Sequence, residues 1–533
     1  MGTEVELEPA DSADAAEPAD GAAVVVDQPD EQPRASMGDW FAARVDRLSA
    51  VHPSAWCVVL GAVVFAVVFG RLGVQHHRNF GTWSFDMGIY DQAFWLVSRG
   101  KSWITVRGID MWGHHTNLIA FAFAPFYWLG AGPSFLYVVQ ASVLGAGAIP
   151  TYLIARDRLR SPWAATVIAY VYLMYAPVQW IAWANFHPEA LVITPLLFAW
   201  WNATRRNWRW AFICVAIALS TREDTAMAVF MMGLVLWLVL RRTDAATARD
   251  RRMALLVSGL GVAWYLVTMR LVIPAFNRGQ QPFYISGFYG NYGENTFEIA
   301  ETIITRPDRV VSDGTQPDRI RFYRDLLLPW GGLPLGGLAQ LAMALPQMLA
   351  SVIGLSPYAR SIRYQYTSVM IAPIVIAAIE GVALAFRYQW GRRVVLPWLV
   401  VCAYVTNIAW SPSPLSPNEA VWAVPTTRHD AMRTALTFVP DDVSVTATYS
   451  LLPHLAHREQ IYDWPNPWIE AYWGNDDGYR LPDPSEIDYL VLDLQTVGTD
   501  RRELVAELTA PGGEFEVLFE QDDVLVARRP GAG

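Results

Sequence analysis

The sequence AWCVVLGAVVFAVVF, residues Ala55–Phe69, contains no charged residue and follows Arg44 and Arg47. A long uncharged apolar run of this kind indicates a helix that is surrounded by lipid. The composition of the whole 533-residue chain agrees, because 53% of its residues are hydrophobic, 17% are charged and its mean hydropathy is +0.21. These values are too apolar for a soluble domain of this length and are typical of a multi-pass membrane protein.

Charge and cysteine content exclude several other classes. The formal net charge is -10, and the arginines form short clusters between apolar runs instead of one basic face, which argues against nucleic-acid binding. The three cysteines, Cys57, Cys214 and Cys402, lie far apart inside apolar runs, without disulfide or metal-ligand spacing. Residues 1–48 are rich in Ala, Asp, Glu and Pro and predict a disordered acidic tail in the cytoplasm.

Further apolar runs predict about eleven membrane helices within residues 49–411. The runs are Phe135–Ala155, Pro162–Trp180, Ala190–Trp201, Trp210–Ser220, Thr225–Leu240, Ala254–Ile273, Leu326–Ile353, Val369–Phe386 and Val394–Trp410. Arginine clusters between them satisfy the positive-inside rule when the N-terminus is cytoplasmic and the run Leu326–Ile353 crosses twice. Its interior, PWGGLPLGG, suits a broken hairpin.

This topology predicts two long external loops, at residues 73–132 and 274–325, and an external C-terminal region at residues 412–533. In the C-terminal region the stretches VSVTATYS, EQIYDW, IDYLVLDL and FEVLFEQDDVLVARR have the pattern of strands, and LLPHLAHR and DRRELVAELTA that of helices. Alternating strands and helices predict a small α/β domain.

Ionisable residues are concentrated at the predicted external ends of the helices. Counting membrane crossings from a cytoplasmic N-terminus places all of them on one membrane face. They are Asp86, Asp91, His114, His115, His187, Glu189, Arg222, Glu223, Asp224, Arg363 and the neighbouring Tyr364. Such groups are costly at a membrane unless they are paired or hydrated, so they are candidates for function.

Each candidate also has a purely structural alternative. Asp86 and Asp91 would be solvated loop residues, and His187 would belong to a helical turn that begins at Pro188. The sequence REDT, at residues 222–225, would form an internal salt bridge, and Arg363 would contact lipid headgroups in general instead of one bound phosphate. The histidines and acids would also suit a divalent metal, although no tight ligand spacing supports one.

Several motifs together resemble a family of uncharacterised prokaryotic multi-pass proteins that is similar to the GT-C glycosyltransferases. The motifs are FDMGIYDQAFW, GHHTN before FAPFYWL, FHPEAL, REDTAMAVF, IRYQYTSVMIAPIVIAAIEG and LLPHLAHREQIYDWP. The resemblance extends over roughly residues 81–493. It implies a mostly α-helical membrane bundle of GT-C type in the plasma membrane.

The resemblance also implies an activity: transfer of a sugar from a polyprenyl-phosphate donor to a glycan, lipid or protein acceptor of the cell envelope. Asp86 matches the catalytic base, with Asp91 as a second candidate, and Arg363 matches a residue that holds the donor phosphate. His115, His187, Glu189, Arg222, Glu223, Asp224 and Tyr364 are expected to bind substrate. No cofactor is certain, and Mg²⁺ or Mn²⁺ stays an open alternative. The competing hypotheses are a transporter or flippase of lipid-linked intermediates and a non-catalytic assembly protein.

Overall fold

The computed structural model describes residues 51–417, 425–472 and 481–532, except for the side chain of Phe283. The chain divides into a short unit, Met1–Val51, and a compact unit, His52–Gly533, to which all elements below belong. The acidic tail predicted at residues 1–48 lies outside the described residues.

The compact unit is mostly helical. Its helices are α1 (Pro53–Arg78), α2 (Ile89–Val97), α3 (Met111–His114), α4 (Ala120–Tyr127), α5 (Pro133–Ala146), α6 (Ala148–Leu159), α7 (Pro162–Leu173), α8 (Ala176–Trp183), α9 (Ile193–Thr204), α10 (Trp208–Leu219), α11 (Thr225–Arg241), α12 (Ala248–Val267), α13 (Ile273–Phe276), α14 (Phe283–Tyr289), α15 (Thr296–Thr305), α16 (Pro307–Gly314), α17 (Pro317–Leu327), α18 (Leu338–Leu341), α19 (Leu345–Ile353), α20 (Ser368–Ala385), α21 (Gln389–Trp410), α22 (Thr427–Leu436) and α23 (Thr499–Leu508).

Within the described residues, six helical segments are long and apolar enough to cross a membrane. They are Pro53–Arg78, Pro133–Leu159, Ala248–Phe276, Leu333–Ile353, Gln365–Ala385 and Gln389–Trp410. The pair α7 and α8, bent by 48°, gives a seventh if it forms one span. The predicted runs at α9, α10 and α11 are helical but shorter than a straight span requires. The total of about eleven spans therefore stays a prediction.

The run Leu326–Ile353 turns back on itself at two glycines. The part of the chain before these glycines runs along α21, which contains Trp398 and Trp410. The guanidinium of Arg324 lies 5.0 Å from the ring centroid of Trp410, and the Trp398 indole donates to the Gly331 carbonyl over 3.1 Å. Gly331 and Gly332 have φ values of 60° and 76°, which favour glycine. The returning limb begins at Leu333, against α20. Only this limb is among the long apolar segments.

The C-terminal region forms a five-stranded mixed sheet. Its strands, numbered after the short hairpin β1 (Trp103–Ile104) and β2 (Ile109–Asp110), are β3 (Val445–Ala447), β4 (Ile461–Asp463), β5 (Tyr489–Asp493), β6 (Glu516–Gln521) and β7 (Val524–Arg528). The order is β4-β3-β5-β7-β6, with β3, β4 and β5 mutually parallel and β7 antiparallel to its neighbours. All four predicted strand-rich stretches contain strands. The predicted helix at LLPHLAHR is wrong, since only the 3₁₀ turn Leu452–His454 forms there.

This sheet shares a hydrophobic core with the loop that follows α1. Met87 and Phe94 from that loop are fully buried in one cluster with Val445, Val491 and Val526 of the sheet. Complete burial of each such side chain contributes roughly 1.5–3 kcal/mol. The residues near Asp86 are therefore held between the helical bundle and the sheet.

Candidate active site

A cavity of about 360 Å³ lies at the ends of the helices, and much of the predicted polar cluster lines it. Its walls come from the loop after α1, the turns that precede α9 and α11, and helices α12, α14, α15 and α19. The predicted site residues in its lining are Asp86, His115, His187, Glu189, Arg222, Glu223 and Asp224. Side chains that are separated by up to 138 positions in sequence therefore meet in one space.

Asp86 occupies a π-helical turn, Ser84–Gly88, immediately before α2. The backbone N–H of Ser84 donates to the Tyr449 carbonyl over 2.9 Å, which ties the turn to the sheet. A Cβ at Gly88 would lie 2.8 Å from the Leu452 side chain, so the turn also packs closely there. The position of Asp86 thus depends on residues more than 350 positions later in the chain.

The Asp86 carboxylate is held by His187 and Asn185. The His187 Nε2 atom lies 3.3 Å from one carboxylate oxygen of Asp86, and the Asn185 amide donates to the other over 3.4 Å. The His187 Nδ1 atom lies 3.0 Å from the Asn185 carbonyl oxygen, which can only accept. Since the Asp86 carboxylate is also only an acceptor, a His187 ring that is protonated on both nitrogens can donate to both groups.

The pKa shifts of Asp86 and His187 also favour a charged pair. Burial would raise the pKa of Asp86, but the charge and hydrogen bond of His187, with the amide of Asn185, lower that pKa below its usual value. Burial would lower the pKa of His187, but the charge and hydrogen bond of Asp86 raise it. Each group therefore favours the charged form of the other, and Asp86 is in its carboxylate form at neutral pH.

Arg222 joins two carboxylates in the same cavity. Its guanidinium donates to Glu189 from one terminal nitrogen and to Asp224 from the other. Burial would lower the pKa of Arg222, but Asp224, Glu189 and Glu223 raise it above its usual value. Glu189 precedes α9 in the 3₁₀ turn Pro188–Val192, so this cluster links the start of α9 to the start of α11.

A second acid, Glu223, holds three elements together. It accepts from the Nδ1 atom of His115 over 2.7 Å, from the backbone N–H of Thr116 over 3.1 Å and from the Tyr284 hydroxyl over 2.8 Å. The His115 and Tyr284 rings stack with centroids 5.4 Å apart. Burial would raise the pKa of Glu223, but His115 and Arg222 lower it, so Glu223 is ionised.

Three buried polar atoms of this cluster have no hydrogen-bond partner among the described residues. They are the Nε donor of Arg222 and the acceptor oxygens Oε2 of Glu189 and Oδ1 of Asp224. Buried polar groups nearly always have partners in folded proteins. The residues that line this end of the cavity therefore keep a donor and two acceptors that the described residues leave unpaired.

Most of the remaining lining is apolar. The charged residues come from loops and turns, whereas the other wall is lined mainly by apolar side chains of α14, α15, α19 and the π turn that follows α12. That wall includes Met269, Ile285, Phe288, Ile299, Ile303, Leu349 and Ile353. The cavity therefore suits a ligand that has a polar group joined to a hydrocarbon part.

Asp91 does not line this cavity. It is buried on the opposite side of the π turn, where one carboxylate oxygen accepts from the Tyr127 hydroxyl over 2.8 Å. The other oxygen lies 3.0 Å from the Nε2 atom of His457, in the C-terminal region. Burial would lower the pKa of His457, but Asp91 raises it. Asp91 thus binds the first loop to the sheet region.

Arg363 and Tyr364 also lie outside the cavity lining. The Arg363 guanidinium packs 4.9 Å from the ring centroid of Trp180, and Tyr364 makes an edge contact with Tyr358 at 5.1 Å. The following residues, Gln365 and Tyr366, do reach the cavity.

Sequence reasoning missed other residues of the site. Asn185 and Tyr284 bond to the predicted acids, and Asp463 lies on the sheet side of the π turn. The motif NFHPE contains Asn185 two residues before His187, so the sequence could have indicated that Asn185 also contacts Asp86. Neither Tyr284 nor Asp463 has a local signal.

The described residues contain no group of three or more His, Cys, Asp or Glu side chains that is arranged to hold a metal ion. Their carboxylates are instead joined to Arg222, His115, His187, Tyr127 and His457. We therefore derive no chemical step through a metal.

The sequence shows the family of this chain. The chain belongs to the family described as predicted membrane protein (DUF2079), whose model matches residues 76–526. The family resemblance inferred from the motifs is thereby confirmed. A search of curated protein sequences found no match.

Solved structures show the fold. ArnT from Cupriavidus metallidurans bound to undecaprenyl phosphate is similar with a TM-score of 0.53 and 15% identity, over 88% of this chain and 97% of that chain. The apo state of the same protein gives a TM-score of 0.51, also at 15% identity, with the same coverage of 88% and 97%. The Archaeoglobus fulgidus oligosaccharyltransferase gives 0.36 at 12% identity, over 86% of this chain and 73% of that chain. The likeness to ArnT shows that this chain shares the fold of that protein.

Proposed function

We propose that this member of the predicted membrane protein (DUF2079) family is a glycosyltransferase that moves a sugar from a polyprenyl-phosphate donor to a hydroxyl of a cell-envelope acceptor. The observation that carries the proposal is the cavity with two chemically different walls. One wall has a carboxylate–imidazolium pair and open polar atoms for a sugar, and the other has hydrocarbon side chains for a polyprenyl chain. The structural likeness to an ArnT bound to undecaprenyl phosphate supports a ligand of this class.

Asp86 is the proposed base. The acceptor oxygen forms a bond to the anomeric carbon as the bond from that carbon to the phosphate oxygen breaks, and the electron pair leaves with the polyprenyl phosphate. The acceptor proton passes to the Asp86 carboxylate. A carboxylate of lowered pKa can take this proton, because the acceptor hydroxyl becomes strongly acidic only as its new bond forms.

The imidazolium of His187 positions that carboxylate. It lies 3.3 Å from one oxygen of Asp86 and holds the group in its ionised form. The Nε donor of Arg222 and the open oxygens of Glu189 and Asp224 are the proposed contacts to the donor sugar.

We place the chain in the plasma membrane with a cytoplasmic N-terminus and an external C-terminal region. About eleven spans, with two crossings in Leu326–Ile353, follow from the arginine distribution. This orientation puts the cavity at the external face, where a lipid-linked donor would meet an envelope acceptor.

The test is transfer from radiolabelled polyprenyl-phosphate sugars in membranes that contain the full chain or a variant. Asp86→Asn keeps the shape of the side chain and is expected to lower transfer by about 100- to 10,000-fold. Asp91→Asn is the comparison, because its carboxylate belongs to the same segment but lies outside the cavity. Per folded molecule, Asp91→Asn is expected to lose far less activity.

Undiminished transfer by Asp86→Asn would exclude Asp86 as the base. Equal losses in both variants, at equal amounts of folded protein, would show that the segment matters only for structure. Failure of wild-type protein to transfer any of the polyprenyl-linked sugars would contradict the proposed activity.

A further inference from the structure

A second group of side chains surrounds the π turn on the side of the sheet. The rings of Trp83 and Tyr449 stack with centroids 5.8 Å apart and planes at 28°. Both side chains are about 40% exposed, at 40% and 39% respectively, although they lie close to buried core. A stacked aromatic pair that stays open to solvent beside a reactive carboxylate is an unusual arrangement for a purely structural contact.

Asp463 adds a carboxylate to this group. It is the last residue of β4 and pairs in register with Ala447, the last residue of β3, so its side chain and Tyr449 emerge at the same sheet edge. The Trp464 backbone N–H donates to the Ala447 carbonyl over 3.0 Å, which fixes the chain there. Burial raises the pKa of Asp463 to about 7, although the Ser84 hydroxyl and the charge of Arg501 oppose the shift.

The group is directly connected to Asp86. Ser84, which is two residues before Asp86, donates its backbone N–H to the Tyr449 carbonyl over 2.9 Å. After burial, Asp86 and Asp463 are the largest causes that raise the pKa of Tyr449. The Tyr449 hydroxyl is therefore within electrostatic range of both the proposed base and the second carboxyl group.

The sheet has the general geometry of a ligand site at this edge. Strands β3, β4 and β5 are parallel, and their carboxyl ends are at residues 447, 463 and 493. Open sheets with parallel strands bind ligands outside those ends. Here the segment after β3 contacts the π turn, since the Ser84 N–H donates to the Tyr449 carbonyl.

We propose that Trp83, Tyr449 and Asp463 form the binding site for a neutral sugar ring of the acceptor. This inference rests on the proposed function, and it makes the acceptor a glycan. The C–H face of a pyranose packs against an exposed aromatic face, and the sugar hydroxyls around its edge donate to a carboxylate. The donor then occupies the cavity on one side of Asp86 and the acceptor ring occupies the sheet side.

The carboxyl groups near Tyr449 suit a ligand with hydroxyl groups. Asp86 and Asp463 both act on the Tyr449 hydroxyl, and both are acceptors for hydroxyl donors. A hydroxyl-rich ring supplies donors to both. The aromatic pair provides the flat apolar surface that a sugar face needs and that an extended lipid chain would not select.

The test is saturation-transfer NMR on the purified full chain in detergent, with a panel of neutral α- and β-linked tetrasaccharides as probes. Trp83→Ala is expected to reduce affinity about tenfold through loss of stacking. Asp463→Asn, which changes little in shape, is expected to reduce it about tenfold through loss of a charged acceptor. Tyr449→Leu should abolish the signal from the sugar C–H face.

The control is Trp390→Ala. Trp390 and Tyr388 also stack, with centroids 6.1 Å apart, and are exposed, but they lie at the start of α21, away from the sheet. This variant is expected to bind as wild type. Unchanged binding by both Trp83→Ala and Asp463→Asn, or no binding of any probe by wild type at about millimolar concentration, would overturn the proposal.

This result can be separated from that of the transfer assay. Sugar binding is measured without a donor and without turnover, so Asp86→Asn should still bind the tetrasaccharide. If Asp86→Asn transfers normally while the Trp83 variant loses binding, the proposed base is wrong and the sugar site stands. If Asp86→Asn is inactive and the Trp83 and Asp463 variants both bind normally, the sugar site is wrong and the base stands.

Discussion

Replacement of Asp463 by Asn should stabilise the protein at alkaline pH. In the folded chain the pKa of this carboxyl is raised from 3.8 to about 7 because the group is buried. A carboxyl with a raised pKa binds more protons in the folded state than in the unfolded chain. The free energy of unfolding therefore falls as pH rises from about 4 to about 7, and the amide of Asn, which does not titrate, avoids that loss.

The size of the effect follows from the width of that interval. Each pH unit between the two pKa values changes the free energy of unfolding by about 1.4 kcal/mol. Between pH 5 and pH 8 the carboxyl crosses about two of these units, which gives about 3 kcal/mol as the upper limit. Partial contact of the side chain with solvent lowers the expected difference to about 1–3 kcal/mol. In a chain of this length that corresponds to about 1–3 °C in melting temperature.

The assay is thermal unfolding of the detergent-solubilised protein, followed by tryptophan fluorescence, at pH 5 and pH 8. The melting temperature of Asp463→Asn minus that of wild type should be small at pH 5 and positive at pH 8. Asp244→Asn, in an exposed loop, is the control and should show the same difference at both values. A difference for Asp463→Asn that does not increase with pH would refute the assignment of a buried, titrating acid. The same variant should bind sugar more weakly, so a stability gain would accompany a loss of function.

Two further predictions concern the ion pair and the helix packing. His187→Gln removes the charge that lowers the pKa of Asp86, so the acid limb of the kcat/KM profile for transfer should move to higher pH. An unmoved limb would show that Asp86 does not titrate in that profile. Gly381→Ala should lower the free energy of unfolding by about 1–3 kcal/mol, because a Cβ there would overlap the Leu333 carbonyl oxygen. Gly259→Ala is the control and should be neutral or stabilising, because its Cβ would meet nothing within 4 Å. Equal melting temperatures for the two glycine variants would contradict the close contact.

The convergence of the cavity-facing residues could be predicted from the sequence because membrane topology constrains them. His187 and Arg222 are far apart in the chain, but each lies near the end of a predicted apolar run, and His115 lies in the predicted first external loop. Counting alternate membrane crossings assigns those ends to one face of the membrane. The clustering of these residues could therefore be predicted without knowledge of tertiary structure. Asp86 follows from the same argument, since it comes soon after the first helix.

Asp91 illustrates what such an argument misses. It is five residues from Asp86, and on an α-helix five residues correspond to about 500°, or roughly 140° around the axis. The two acids therefore point in different directions, and Asp91 turns to Tyr127 and His457. Helical geometry alone is enough to separate the directions of these two side chains, whereas membrane topology assigns both to the same face.

Other residues depend on contacts with no local signal. Arg363 lies in an irregular segment between α19 and α20, where no periodicity fixes the direction of a side chain. Asp463 reaches the π turn only because a strand in the last fifth of the chain packs on the first loop. LLPHLAHR had the apolar pattern of a helix, but Pro453 and the docking of Leu452 against Gly88 leave only one 3₁₀ turn.

The bond from Ser84 to Tyr449 also has a consequence for biogenesis. These partners are separated by 365 positions, so the ribosome completes the second about 20–70 s after the first at about 5–20 residues per second. During that interval the nascent first loop lacks the sheet against which its core residues pack. The proposed active site therefore stays incomplete until the last strands are made, and a truncated chain would enter the membrane without an assembled π turn.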